Sequence, residues 1–139
     1  MARTTTPGEG RPRAAAGFTL IELITVVALI GILAAIALPN YRVAIIQSKE
    51  AVLKENLYRM RDLIDQYYVD KGQYPPSIET LVEEGYLRKL PEDPFTRAAD
   101  WTPVFAEPDP DRPGEPAGVY DVKSASELPS LAGTPYNEW

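Results

Sequence analysis

The chain of 139 residues contains neither cysteine nor histidine. Without cysteine it has no disulfide and no thiol nucleophile, and without histidine it lacks the most common general base near neutral pH and the most common metal ligand. Serine with lysine, or paired carboxylates, would still allow catalysis, but the sequence fixes no such pair in place. The composition therefore predicts a protein that is not an enzyme.

Negative charge outweighs positive charge beyond the N-terminus. Three arginines and one glutamate give residues 1–17 a net charge of +2, and the whole chain carries −6, so residues 18–139 carry −8. So acidic a surface is poorly suited to nucleic acid, and no nucleic-acid partner is expected. Proline is concentrated at the other end, because nine of the 14 prolines lie in residues 91–139.

Residues 18–38 form an apolar run of 21 residues whose one ionisable member is Glu22. As a helix rising about 1.5 Å per residue, the run would be roughly 31 Å long, which matches a bilayer hydrocarbon core of about 30 Å. Arginines precede the run and none lies within it, which predicts a cytoplasmic N-terminus, although Arg42 and Lys49 on the far side reduce the asymmetry. Residues 1–17 are polar, small and basic, as is typical of a leader.

Three other interpretations of this segment are open. Ala35-Ile36-Ala37 is similar to a signal-peptidase site, whose cleavage would release a secreted binding domain, but the apolar run is long for a signal and Pro39 would lie two places after the cut. A plain anchor has no need of Glu22, since a charge at the bilayer centre costs about 2.5–3.5 kcal/mol. A buried core helix is disfavoured because so short a chain can hardly surround the run on every side.

The junction of leader and apolar run carries a family resemblance. Gly17 is followed by Phe18-Thr19-Leu20-Ile21-Glu22-Leu23, and the run continues with Gly31, Pro39 and Tyr41. This pattern resembles the class III leader and helix of type IV pilins, pseudopilins and competence pseudopilins. The resemblance implies cleavage after Gly17 by a prepilin peptidase, N-methylation of Phe18, and use of Glu22 as the carboxylate at the fifth mature position. It also implies that helicity is lost between Gly31 and Pro39 in an assembled fibre.

A physical argument supports a role for Glu22 in assembly. Cleavage would create a cation at Phe18, four residues away, and opposite charges on neighbouring subunits attract far more strongly in a bilayer than in water. Before assembly, the dipole of the helix would offset part of the cost of burying the carboxylate. Glu22 is therefore expected to set the register between subunits.

Beyond Pro39 the sequence becomes amphipathic. Apolar residues recur in steps of three, four or seven, which predicts one buried helix face. These residues are Ile46, Leu53, Leu57, Met60, Leu63, Ile64, Tyr67 and Tyr68. Since Lys71-Gly72 supplies a stop, one helix is predicted from about residue 18 to residue 70, with Gly31 and Pro39 as points of flexibility.

The remaining chain predicts smaller elements. Ser77 is a candidate N-cap for a short helix over 78–84 that ends at Gly85. The side chains expected to close over the long helix are Tyr74, Leu81, Tyr86 and Leu87. Residues 101–107 and 119–124 have the composition of strands and are separated by a proline-rich loop at 108–114, which predicts a small antiparallel sheet.

The C-terminal half also resembles a family, the major (G-type) pseudopilin of type II secretion. The resemblance rests on Tyr74-Pro75, Leu81, Gly85-Tyr86-Leu87, Leu90-Pro91-Glu92-Asp93-Pro94-Phe95, Trp101, Val119-Tyr120-Asp121-Val122, Ser124 and Asn137-Glu138-Trp139. It implies a calcium ion held in the C-terminal loop by aspartate side chains and backbone carbonyls.

This chain departs from that family where the ion would bind. Ala125-Ser126-Glu127-Leu128-Pro129 replaces the aspartate- and glycine-rich pattern, and Ala132 offers no oxygen. Calcium takes six to eight oxygen ligands. We therefore expect no resident ion, with Asp121 and Glu127 solvated. If one were bound, the positions to examine would be Ser124, Glu127 and Asn137.

Together these features predict an α+β protein whose long N-terminal helix, half transmembrane and half amphipathic, packs on a small antiparallel sheet. The predicted domains are a leader (1–17), a transmembrane and assembly helix (18–38) and a periplasmic pilin-like domain (39–139). The predicted function is that of a structural subunit that polymerises through its N-terminal helix into a periplasmic pseudopilus for type II protein secretion. Until assembly it is held as a single-pass protein in the bacterial inner membrane. Its expected partners are copies of itself, prepilin peptidase, the inner-membrane assembly platform and minor pseudopilins. A type IV pilus subunit for adhesion, motility or DNA uptake is the main alternative.

Overall fold

The computed structural model describes residues 1–2, 16–114 and 116–139. Its elements in chain order are helix α1 (Leu20–Lys71), helix α2 (Thr80–Glu83), strands β1 (Thr102–Phe105) and β2 (Val119–Lys123), and a 3-10 turn at Tyr136–Glu138. The predicted α+β class is confirmed, and the bounds of the long helix differ from the prediction by one or two residues. The chain forms two compact units, Met1–Pro39 and Asn40–Trp139.

In the first unit, α1 begins at Leu20 and presents its side chains on all sides. Every residue from 16 to 39 is exposed, and Pro39 lies inside the helix. The stretch from Gly31 to Pro39 is helical here. Its expected loss of helicity concerns an assembled fibre and stays a prediction.

In the second unit, one face of α1 supplies the centre of a hydrophobic core. The buried helix residues follow one another in steps of four and three: Leu53, Leu57, Met60, Ile64 and Tyr67. The side chains packed on them are those of Ile78, Leu81, Trp101, Val119, Val122 and Tyr136. This spacing keeps the side chains on one stripe of the helix, so the predicted face is confirmed at its centre.

The predicted face is wrong at its edge. Tyr68 is 45% exposed, because it follows Tyr67 directly and so lies beside the buried stripe of the helix. Its ring contacts the half-buried ring of Tyr74 at 4.5 Å between centroids. Tyr74, Tyr86 and Leu87 pack partly buried against the core and Leu81 is fully buried, as predicted.

The expected cap of the short helix is also wrong. Helix α2 starts at Thr80, three residues after Ser77, and the residue before it, Glu79, is itself in a helical conformation without a side-chain cap. The Ser77 hydroxyl oxygen lies 3.1 Å from that of Thr80 and so has another partner. Gly85 follows with a φ of +82°, a conformation that glycine adopts without strain and that ends helices. The predicted stop is therefore confirmed.

Strands β1 and β2 pair in antiparallel fashion. Thr102 is opposite Lys123, Pro103 opposite Val122 and Val104 opposite Asp121, and a bulge then brings Phe105 opposite Val119. The backbone N–H of Val119 donates to the carbonyl oxygen of Pro75 at 2.8 Å. That bond joins the sheet to the turn after α1, and the chain leaves β2 into a C-terminal segment, residues 124–139.

Candidate functional site

The leader junction lies just ahead of α1. Gly17 and Phe18 belong to no helix or strand, and the side chain of Phe18 is 93% exposed. The leader arginines Arg3, Arg11 and Arg13 lie outside the described residues. An exposed, non-helical bond between Gly17 and Phe18 has the accessibility that a peptidase requires.

Thr19 and Glu22 cap the first turn of α1 reciprocally. The Glu22 carboxylate oxygen Oε2 accepts from the Thr19 backbone N–H at 2.8 Å and from its hydroxyl at 3.0 Å. The backbone N–H of Glu22 donates to the Thr19 hydroxyl oxygen at 3.3 Å. These contacts form a capping box, and a cap of this kind stabilises a helix by about 1 kcal/mol.

Sequence reasoning missed this cap, although the signal was present. Threonine followed three residues later by glutamate, ahead of an apolar run, is the pattern of a capping box. Glu22 is thus held at the N-terminus of α1, within a turn of Phe18. Its use between subunits stays a prediction.

The residues that the resemblance would give to calcium have other surroundings. Ser124 is buried and its hydroxyl donates to the carboxylate of Asp93. Glu127 is exposed, and Asn137 is half-buried in the 3-10 turn. Within the described residues, no three acidic side chains come together in a way that could hold a metal.

Backbone oxygens of the C-terminal segment are also engaged. The carbonyl oxygens of Leu128, Ser130 and Thr134 accept from the backbone N–H groups of Tyr136, Gly133 and Ser130 respectively, at 2.9–3.1 Å. Calcium needs six to eight oxygen ligands, with carboxylates among them, and the oxygen atoms around Ser124, Glu127 and Asn137 do not fit that requirement.

Asp121 was expected to be solvated, and that expectation is wrong. The Arg61 guanidinium donates through Nε to its Oδ1 at 2.6 Å. The same guanidinium donates through Nη2 to the backbone oxygens of Val122 and Trp139, both at 3.0 Å. Arg61 lies on α1 between the buried residues Leu57 and Ile64. Other charged residues, such as Lys54, lie as close to the apolar stripe and are exposed, so the sequence contains no specific signal for the partners of Arg61.

Asp93 is a second residue that sequence reasoning did not single out. It is 0% exposed, and its Oδ1 accepts from the backbone N–H groups of Phe95 at 2.8 Å and Thr96 at 3.4 Å. Its other oxygen accepts from the Ser124 hydroxyl. An aspartate directly before a proline often organises its own turn in this way. Here it also anchors the start of the C-terminal segment.

Glu50 is the third. Its Oε1, on α1, accepts from the backbone N–H of Leu131 at 2.8 Å and from the Tyr136 hydroxyl at 2.9 Å. Burial of the Tyr136 ring, aided by the hydrogen bond to Glu50 and its negative charge, raises the pKa of that hydroxyl to about 12. Tyr136 is therefore a neutral donor over the physiological range.

Known proteins are similar to this chain in two ways, through its N-terminal segment alone and over most of its length. Residues 12–38 match the family described as the prokaryotic N-terminal methylation motif. The chain is 35% identical over 99 residues to the type II secretion system core protein G of Pseudomonas aeruginosa, covering 60% of this chain and 70% of the relative. With the protein of the same name from Escherichia coli K12 it shares 32% over 129 residues, covering 78% and 79%.

A pilin is similar over a shorter stretch. The type IV major pilin protein PilA of Myxococcus xanthus is 47% identical over 58 residues, which cover 42% of this chain and 26% of the pilin. No solved structure matches the chain.

The methylation motif and the exposed apolar helix place this chain in the type IV pilin class. Two relatives named core protein G are more than 30% identical and are covered over more than two thirds of their length. The chain belongs to the family of the type II secretion system core protein G.

Proposed function

We propose that this chain is the structural subunit of a periplasmic pseudopilus and that it polymerises through residues 18–38 of α1. Prepilin peptidase would cut after Gly17 and the new N-terminus at Phe18 would be methylated. Membership of the core protein G family supports this function, as does the methylation motif over residues 12–38.

The observation that carries the proposal is an apolar helical surface that the fold leaves uncovered. Helix α1 is the one helix in the described chain that is long and apolar enough to cross a membrane. Its first part lies in the first unit, where every residue from 16 to 39 is exposed. A helix that is apolar on all sides needs apolar surroundings. A bilayer supplies them before assembly and the helices of other copies supply them in a fibre.

The proposed location follows from charge. The leader arginines would keep the N-terminus in the cytoplasm and direct residues 39–139 into the periplasm. In that orientation the inner-membrane assembly platform would extract each copy, and minor pseudopilins would join the same fibre.

A type IV pilus subunit is a second candidate, favoured by the similarity to PilA of Myxococcus xanthus. Neighbouring genes separate the two. A secretion ATPase, a secretin and further pseudopilins beside this gene favour export, whereas a retraction ATPase favours a pilus.

Three variants test the proposal in cells that carry the complete assembly system. Glu22→Gln removes the charge and keeps a side chain able to complete the capping box, whereas Glu22→Ala removes both. Both should insert and be cleaved normally, because neither step requires the charge, and both should give few fibres. Glu55→Gln, at an exposed site on the second part of α1, is the control and should assemble normally. The readout is the amount of the subunit that chemical cross-linking of whole cells captures as multimers on an immunoblot. Abundant multimers from Glu22→Gln would remove the carboxylate from the assembly mechanism.

A further inference from the structure

We infer that the C-terminal segment is fastened to α1 by the carboxylate of Glu50 and needs no metal ion to hold it. The contacts of Glu50 with Leu131 and Tyr136 are called the Glu50 clasp below. The inference concerns the folded subunit and does not depend on whether the subunit forms a pseudopilus or a pilus.

The clasp joins parts of the chain that are distant in sequence. Glu50 is 81 residues from Leu131 and 86 from Tyr136, and one oxygen, Oε1, receives both hydrogen bonds. A hydrogen bond to a charged acceptor contributes more to stability than one between neutral groups. Two such bonds tie the segment to the helix, one within its turn at Leu131 and one just after the turn at Tyr136.

The turn that contains Leu131 is closed by its own contacts. Pro129 and Pro135 form an isolated antiparallel β-bridge. The backbone N–H of Ser130 donates a hydrogen bond to the carbonyl oxygen of Thr134 at 2.9 Å, and the hydroxyl oxygens of the two residues lie 3.2 Å apart. Gly133 makes the tight reversal with a φ of +92°. The segment thus keeps its shape through hydrogen bonds and prolines, which is the work that a bound ion would otherwise do.

The other end of the segment is anchored independently. The buried Asp93 carboxylate accepts from the Ser124 hydroxyl, which in turn accepts from the backbone N–H of Ser126 at 3.1 Å. The ring of Tyr136 stacks on that of Phe95 at 3.9 Å between centroids. The segment is held at its start, its turn and its end by side chains of this chain.

The geometry at Glu50 also opposes a cation. The Leu131 N–H and the Tyr136 O–H both direct hydrogens at Oε1, so a cation bound to that oxygen would lie beside two positively polarised hydrogens. Hydrogen-bond donors of this kind stabilise an anion and repel a positive ion. The carboxylate of Glu127, which the resemblance would offer instead, is exposed.

Full-length protein in mild detergent tests the inference. Thermal unfolding, followed by tryptophan fluorescence, should have the same midpoint in 5 mM calcium and in excess chelator, with both Trp101 and Trp139 reporting on the folded unit. Amide hydrogen exchange at Leu131 should be slow in the wild type under both conditions. Glu50→Ala should speed that exchange by about tenfold or more, because the amide loses its acceptor.

Matched variants separate the clasp from a general loss of stability. Glu50→Gln retains an uncharged oxygen acceptor and should restore part of the protection at Leu131, whereas Glu55→Ala, on the same helix, should leave it unchanged. If Glu50→Ala does not fold, Tyr136→Phe removes one of the two bonds and should still speed exchange in the turn.

Two results would overturn the inference. One is a midpoint that rises by several degrees with calcium and loses that rise in Glu127→Ala, which would demonstrate a metal site. The other is unchanged exchange at Leu131 in a folded Glu50→Ala protein, which would show that the carboxylate does not hold the turn.

Discussion

Gly118 leaves no room for a side chain, and this makes a strong prediction about stability. A Cβ at this position would lie 2.5 Å from the Cβ of Tyr74, 2.6 Å from its carbonyl oxygen and 2.7 Å from its carbonyl carbon. Ordinary van der Waals contact begins at 3.4 Å, so the backbone segments at Gly118 and Tyr74 would have to move apart by about 0.9 Å. Two of the three atoms are backbone, so no change of rotamer relieves the clash.

Moving these segments apart would break the hydrogen bond that joins the sheet to the turn after α1. Val119, which follows Gly118 and is 0% exposed, donates its N–H to Pro75 at 2.8 Å. Overpacking costs about 1–3 kcal/mol, and an unpaired buried donor costs about 1–3 kcal/mol more. Gly118→Ala should therefore lower the free energy of unfolding by about 2–6 kcal/mol. At about 4–8 °C per kcal/mol for a domain of this size, the melting midpoint should fall by at least about 8 °C.

Gly72→Ala is the matched control for this experiment. Gly72 has a φ of +72° and open space where a Cβ would lie, so the substitution introduces backbone strain without a clash. That strain costs about 1–2 kcal/mol. Thermal unfolding of the two variants in the same detergent measures the difference, and a fall for Gly118→Ala no larger than that for Gly72→Ala would refute the steric argument.

Two further predictions follow from the leader junction and from Tyr136. Mass spectrometry of the native protein should find methylated Phe18 as the first residue, whereas Leu38 in first place would establish signal-peptide cleavage and an intact Met1 or Ala2 terminus a plain anchor. Because folding raises the pKa of Tyr136 from 10.0 to about 12, its contribution to stability is complete below pH 10 and is lost as the pH rises towards 12. The fall in melting midpoint between pH 9 and pH 11.5 should be smaller in Tyr136→Phe than in the wild type, and the exposed-site control Tyr58→Phe should behave as the wild type does. Equal falls in Tyr136→Phe and the wild type would contradict the assigned cause.

The long helix and its buried face could be predicted because both depend on local pattern. The steps of three and four between Leu53 and Tyr67 repeat over several turns, and Lys71-Gly72 marks the end within a residue. The two strands were found for a similar reason, since β-branched and aromatic residues flank a loop rich in proline.

The hydrogen bonds made by Glu50 and Arg61 could not be predicted in this way, because they join residues far apart in sequence. Glu50 and Leu131 are 81 residues apart, and Arg61 and Trp139 are 78 apart. Composition does not indicate which of 20 acidic residues meets which donor. The capping box of Thr19 and Glu22 is different, since its spacing of three residues was visible, but the family resemblance supplied another role for the same carboxylate.

Pro103, in strand β1, affects whether the sheets of neighbouring copies can pair with one another. A short sheet has edge strands that invite pairing with strands of other molecules, and such pairing leads to uncontrolled aggregates. Pro103 has no N–H to offer, and the bulge between Val104 and Phe105 interrupts the regular spacing of the strand beside it. The second unit is thereby discouraged from strand exchange with other copies, and the polymer proposed above would grow through helices alone.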